Sequence, residues 1–149
     1  WNSQGIYATN QSIIDTDGSG ATADMFDGIN GPDGNYSCNT AWSTGAKYGN
    51  LIYDLKSVYQ ISRVKVWADC TVNSYMKTVE IHASIDGSSY NHIATVANPN
   101  SASSGYALVN CQISPLIHAR YIKVIMVKDP AKNIMNLGEV AVLGDALEP

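Results

Sequence analysis

Charge is scarce in this chain. Charged residues fill 15% of its 149 positions, against about 25% in an ordinary soluble domain. Only two arginines occur, Arg63 and Arg120, and no cluster of Lys and Arg surrounds them. With a net charge of −4, the basic footprint that a nucleic acid requires is missing. An anionic lipid surface is disfavoured on the same ground. No apolar run approaches the roughly 18 residues of a membrane-spanning helix. No CxxC or Cys/His grouping offers a zinc site. GxSxG, HExxH and a Cys–His arrangement are absent too. His82, His92 and His118 are scattered along strand-like segments and read as surface or structurally satisfied residues.

Cysteine supplies no framework either. Three Cys cannot all pair within one chain. Cys111 alternates with Val109 and Ile113 in "VNCQI", the pattern of a buried thiol. Cys38 and Cys70 fall in expected loops, and spacing leaves open whether they join.

Polarity comes instead from Asn, Ser, Thr and Tyr, the texture of a secreted β-rich protein. Nine Tyr and three Trp against one Phe favour aromatics with a polar handle, which suit half-wet surfaces. The length fits one domain, 1–149, able to bury about 68–70% of its unfolded surface without staples. Opening on Trp1, with no initiating Met or signal segment, the chain is expected to be a module excised from a larger multidomain protein.

From Leu51 onward the hydrophobic period is two. "LIYDL", "ISRVKVW", "TVEIHASI", "YNHIATV", "YALVNCQI", "ARYIKVIMV" and "GEVAVLG" are short runs separated mostly by turn residues. Such strands without helical patterns between them predict an all-β, antiparallel β-sandwich or jelly roll. Alternation sends Val64 and Val66 to the core, leaving Arg63, Lys65 and Trp67 on the other face. It likewise predicts Val79, Ile81, Ala83 and Ile85 inside, with Glu80, His82 and Ser84 outside. Trp67 is the informative residue, an indole at a strand end on the face away from the core.

The run "DMFDGINGPDGNYSCNTAW", Asp24 to Trp42, has no strand or helix period. Glycoside chemistry needs two carboxylates about 5–9.5 Å apart, and no pattern brings two acids together on core-framed strands. "DTDGSG" imitates an EF-hand opening, but its twelfth position is Phe26 where a bidentate Glu is required. Irregular loops also bind calcium, and "FDGINGPDGN" offers Asp27, Asn30, Asp33 and Asn35 on a Gly-rich backbone. From composition alone a solvated turn remains the alternative.

"FDG" ahead of a Trp, followed in order by "LIYDL", "ISRVKVW", "VEIHASIDGSSY", "ARYIKV" and "GEVAVLG", resembles the discoidin, or coagulation factor C-type (F5/8 type C), domain. The likeness runs from about Ile6 to Gly144 and points to the branch of family 32 carbohydrate-binding modules. It implies a galactose-binding-like jelly roll with one structural calcium. The implied ligands are Asp27, oxygens near Phe26, Asn30 or Asp33, and Glu139; the longer stretch between Asp27 and Trp42 leaves the later ligands open. It also makes Arg120 of "ARYIKV" a structural arginine.

If "LIYDL" and "ISRVKVW" form a hairpin, residues 48–50 meet those after Trp67, and the loops at 68–78, 97–106 and 128–137 gather at the same end. The resemblance places a shallow sugar site there. Its candidates are Trp67, Asp69, Asn73, Tyr75, Tyr48, Tyr106, Asp129, Asn133 and Asn136. A pyranose packs its C–H face on an aromatic ring, while its hydroxyls need oriented amides and carboxylates. No His lies in these loops and both Arg lie in strands, unlike the galactose binders of the family. Glucosamine-containing and neutral gluco- or mannopolysaccharides both stay open.

The expectation is therefore a non-catalytic, monomeric, secreted module. It would hold a tethered polysaccharide-degrading domain near its polysaccharide or oligosaccharide, with no nucleic acid and no membrane partner. The alternatives are a phospholipid- or protein-adhesion discoidin domain, hinted at only by Met76–Lys77 and Met135, and a small glycoside-active enzyme.

Overall fold

A strand of 23 residues cannot run straight through a protein this small. At about 3.3 Å per residue it would reach roughly 75 Å, whereas a domain of this length is only about 40 Å across. The computed structural model describes residues 12–16, 19–20, 36–37, 48–70, 75–101, 105–132 and 136–147, with side chains for 51–68, 70, 75–101, 105, 107–132, 140–145 and 147. Its strands are β1 Ser12–Thr16, β2 Ser19–Gly20, β3 Tyr36–Ser37, β4 Tyr48–Cys70, β5 Met76–Ser84, β6 Asn91–Ala97, β7 Gly105–Lys128 and β8 Asn136–Ala146. Every pairing is antiparallel, in the order β2-β3-β8-β4-β7-β5-β6 with β1 on β4. Among the described residues no helix is long and apolar enough to cross a membrane.

The two longest strands turn a corner and serve both layers. The first arm of β4 pairs with the end of β7, from Tyr48↔Val127 to Asp54↔Tyr121. Pairing breaks there and resumes from Tyr59↔Ala119 to Cys70↔Gly105. At the corner Lys56 has φ 70°, and its amide donates to Asp54 Oδ1 at 2.8 Å. One layer is thus β1, the first arm of β4, the second arm of β7, β5 and β6. The other is β2, β3, β8, the second arm of β4 and the first arm of β7. Where β8 crosses the β4 irregularity, Gly144 is required: a Cβ there would lie 2.0 Å from the Gln60 carbonyl oxygen.

Period two fills the space between the layers. Leu51, Tyr53, Val64, Val66, Val79, Ile81, Val109, Cys111, Ile122, Val124, Val140 and Val142 share one buried cluster. Since both layers contribute, they face one another, as the sequence predicts of a sandwich. Arg63, Lys65 and Trp67 take the opposite face and are half-buried. Burial pushes the Cys111 thiol up to about 12.

Four expectations need correcting. "LIYDL" and "ISRVKVW" are arms of one bent strand, each paired to β7, not a hairpin. Ile85 is 61% exposed and Ser84 only 5%, because β5 ends at Ser84 and the alternation ends with it. Ser84 Oγ is taken up by the following turn instead, donating to Asp86 Oδ1 at 3.0 Å and accepting from Gly87 N at 2.9 Å. Cys70 closes β4, fully buried, rather than lying on a loop; Cys38 lies outside the described residues. His82 and His92 are not scattered but opposed across β5 and β6, rings 5.1 Å apart and edge-on.

Candidate functional site

The corner in β4 returns its two ends to one pole, so the expected gathering of loops survives the loss of the hairpin. Tyr48 pairs with Val127, Met76 with Lys128, and Cys70 with Gly105. Two asparagines then tie the loops together. Asn98 donates through Nδ2 to the Met76 carbonyl at 2.8 Å and to Cys70 Sγ at 3.4 Å. Its Oδ1 accepts the Asn100 amide N–H at 3.0 Å and Asn100 Nδ2 at 2.9 Å. Asn100 Nδ2 also donates to the Leu108 carbonyl at 2.7 Å. These bonds tie the 98–100 turn to the Met76 and Leu108 carbonyls of two strands, which stiffens the pole.

Tyr75 and Asp129 meet at this pole. The Asp129 amide donates to the Tyr75 carbonyl at 3.0 Å. The Tyr75 hydroxyl donates toward the carbonyls of Asn98 and Asn100, and its half-buried ring leans on the core. Desolvation first, then the nearby Cys70 and Asp129, raise its pKa above the ordinary 10.0. Asp129 Oδ1 accepts the Ala131 amide at 2.9 Å, bracing the turn that follows. Beneath that turn lies Lys128, 7% exposed, its ammonium donating to the carbonyls of Asp129 and Lys132. Charge buried so is tolerable because carbonyl dipoles replace the lost water.

Trp67 sits three residues before the end of β4, between Leu108 of β7 and position 139 of β8. It is half-buried on the sheet's outer face. Asp69 lies opposite Tyr106, and Asn136 opposite Ser37. The side chains of Tyr48, Asp69, Tyr106, Asn136 and Glu139, and all of Asn73 and Asn133, lie outside the described residues. Met76, the hint of a membrane-seeking loop tip, is fully buried in the core; Met135 lies outside the described residues. Asn98, Asn100 and Lys128 were not foreseen. "NPN" reads only as a turn, and Lys128 stands at a core-facing position where alternation predicts an apolar residue.

The sequence model of the F5/8 type C domain family matches residues 6–140. This chain belongs to that family. No curated protein matches the sequence. Among solved structures, this F5/8 type C domain is similar to the C-terminal domain of a chitobiase from Bacteroides fragilis, with TM-score 0.76, 18% identity, and 97% and 99% of the two chains covered. It is similar to CBM32-3 from a family 31 glycoside hydrolase of Clostridium perfringens, with TM-score 0.73, 15% identity, and 95% of each chain covered. It also resembles CpGH89CBM32-5 of Clostridium perfringens, solved in complex with GalNAc-beta-1,3-galactose, with TM-score 0.71, 14% identity, and 91% and 96% covered. At these identities the likeness shows the fold.

Gly20 pairs with Tyr36 and Ser19 with Ser37. Tyr36 in turn pairs with Leu137, two positions before Glu139. Phe26, Asp27, Asn30 and Asp33 lie outside the described residues. Among the described residues no three His, Cys, Asp or Glu side chains form a metal-holding group.

Proposed function

We propose that this F5/8 type C domain is a non-catalytic carbohydrate-binding module. The observation that carries the reading is Trp67: a half-buried tryptophan on the outer face near the end of a central strand, toward the pole whose loops Asn98 and Asn100 brace. A braced pole can present an aromatic plate with little ordering cost on binding. Asp69, Asn73, Tyr75, Tyr48, Asp129, Asn133 and Asn136 are the companions that would meet sugar hydroxyls. CpGH89CBM32-5, which shares the fold, was solved with a disaccharide.

In this reading the domain is a secreted monomer. It keeps a tethered catalytic domain close to its polymer, raising effective concentration without doing chemistry. A small wet site of this kind binds with Kd of about 1 mM to 1 μM, or roughly −4 to −8 kcal/mol. The test is an affinity-gel and glycan-array screen of the isolated domain, followed by calorimetry on the hits. Binding to at least one glycan that Trp67→Ala removes supports the reading. Binding to phosphatidylserine vesicles with no glycan response overturns it.

A structural calcium belongs to the same proposal. The oxygen donors of Asp27, Asn30, Asp33 and Glu139 with the Phe26 carbonyl suit a hard cation. What supports this set is that Gly20 and Tyr36, which flank the first four donors in sequence, are paired, and that Tyr36 pairs with Leu137 of the strand that carries Glu139. The ion would relieve repulsion among carboxylates and brace the loop.

A further inference from the structure

A cavity of about 530 Å³ opens at the opposite end of the sandwich from Trp67. β5 connects the two poles, since Met76 pairs with Lys128 beside the Asp129 turn and Ser84 with Tyr121 beside the cavity. Met76 to Ser84 spans roughly 25 Å at about 3.3 Å per residue. Nothing in the loop-pole reading uses this cavity.

We propose that the cavity is a second saccharide-binding site, resting on the reading that the domain binds glycans and taking a sugar unit of the same polymer. Its wall is saturated hydrocarbon from Ala83, Ile85, Ile93 and Ile117, while its rim carries Asp86, Ser89, Asn91 and His118. C–H surface beside carboxylate, hydroxyl, amide and imidazole is what a polyhydroxylated ring requires. The volume falls within the roughly 300–1,000 Å³ of small-molecule sites.

Three features show the cavity to be built rather than incidental. Ile85 is held 61% exposed at its wall, although the strand pattern would send it to the core. The register slips between Ile81↔Ala94 and His82↔His92, leaving Ile93 as the extra residue of β6. Bulges of this sort re-aim side chains beside functional sites, and here Ile93 joins the wall. The 85–89 turn is also rigid. Asp86 Oδ1 accepts Ser84 Oγ at 3.0 Å and the amides of Ser88 and Ser89 at 2.8 and 3.0 Å. Gly87, at φ +81°, presses against the Tyr121 ring, where a Cβ would come within 3.1 Å.

The Ser89 and Ser88 amides hold the Asp86 carboxyl far below the usual carboxylate range. The rim therefore presents a fixed anionic acceptor for sugar hydroxyls. Two sites on one rigid body would engage a single polymer together, and avidity of this kind reaches about 10²–10⁴ over either site alone.

Nitrogen-15 NMR of the whole chain tests this with four probes, glucose, galactose, mannose and N-acetylglucosamine, each titrated separately. The expected result is two groups of shifting amides, one around 67–70 and 129–132, the other around 83–91 and 117–118. The double variant Asn91→Ala, His118→Ala should weaken the second group about tenfold or more and leave the first unchanged; both residues are exposed and outside the core. Trp67→Ala should do the reverse. Shifts confined to the loop pole overturn this inference alone. Shifts confined to the cavity support it and overturn the Trp67 reading. No shift at either pole with any probe overturns both.

Discussion

The guanidinium of Arg120 closes on the carboxylate of Asp54 at two points, Nε to Oδ1 at 2.8 Å and Nη2 to Oδ2 at 3.1 Å. The pair sits where β4 turns its corner, 66 positions apart in sequence. Lys56 reinforces it, with its amide on Oδ1 and its ammonium 3.6 Å from Oδ2. Arg120 also lies over the Tyr121 ring, 5.0 Å from its centroid. The one carboxylate thus fixes the bend that lets β4 serve both layers.

Removing the pair should loosen that bend. Asp54 is 7% exposed, while the Arg120 side chain is 38% exposed, so the pair ranks between surface and buried bridges. Arg120→Ala should lower the urea midpoint, with Arg120→Lys recovering only part of the loss. The hydrogen bond from Arg120, set against burial that opposes it, holds the Asp54 carboxyl below its ordinary 3.8. A depressed carboxyl stabilises above its unfolded pKa and loses that contribution as pH falls through the folded value. Wild type should therefore lose stability below pH 3.8 more steeply than Arg120→Ala. Equal acid slopes would refute this account.

Trp67→Ala should weaken glycan binding at least about tenfold, a loss of about 1.4 kcal/mol, with only a modest fall in Tm. Its half-burial on the outer face accounts for both expectations. Calorimetry and a melting curve on one preparation decide; a collapse in Tm would make Trp67 a packing residue.

Asn98→Ala should be disproportionately damaging for an irregular segment. It strips partners from the Met76 carbonyl and from Asn100 together, and a buried unsatisfied group costs about 1–3 kcal/mol. Hydrogen exchange should show the loss concentrated at the loop pole, with Ile122 and Val124 at mid-strand still protected.

The calcium proposal predicts that EDTA lowers Tm and that added calcium restores it. Asp27→Ala and Glu139→Gln should abolish that response. A wild-type Tm indifferent to both chelator and calcium, with no metal found by elemental analysis, would remove the ion from the account.

Cys111 should resist alkylation in the native state at pH 8, because burial pushes its thiol up to about 12. Mass spectrometry after iodoacetamide treatment checks this. Rapid labelling without denaturant would contradict the packing around Cys111.

The sequence by itself determined the two-layer β architecture, the core parity of Val64, Val66, Val79, Ile81 and Cys111, and the outward placement of Trp67. Each depends on the identity of near neighbours, because side-chain direction in a strand follows a period of two. The family, too, was legible, since short motifs kept their order along nearly the whole chain. What only the tertiary structure decided lies where that period stops. Neighbouring residues cannot show that "LIYDL" and "ISRVKVW" are one bent strand, because the corner depends on Arg120 far along the chain. Nor can they show Ile85 turned outward by a Ser84–Asp86 cap, or Lys128 buried beneath the carbonyls of its own turn. Those positions are set by hydrogen bonds and ion pairs that close only once distant strands have docked, so the local pattern carries no trace of them.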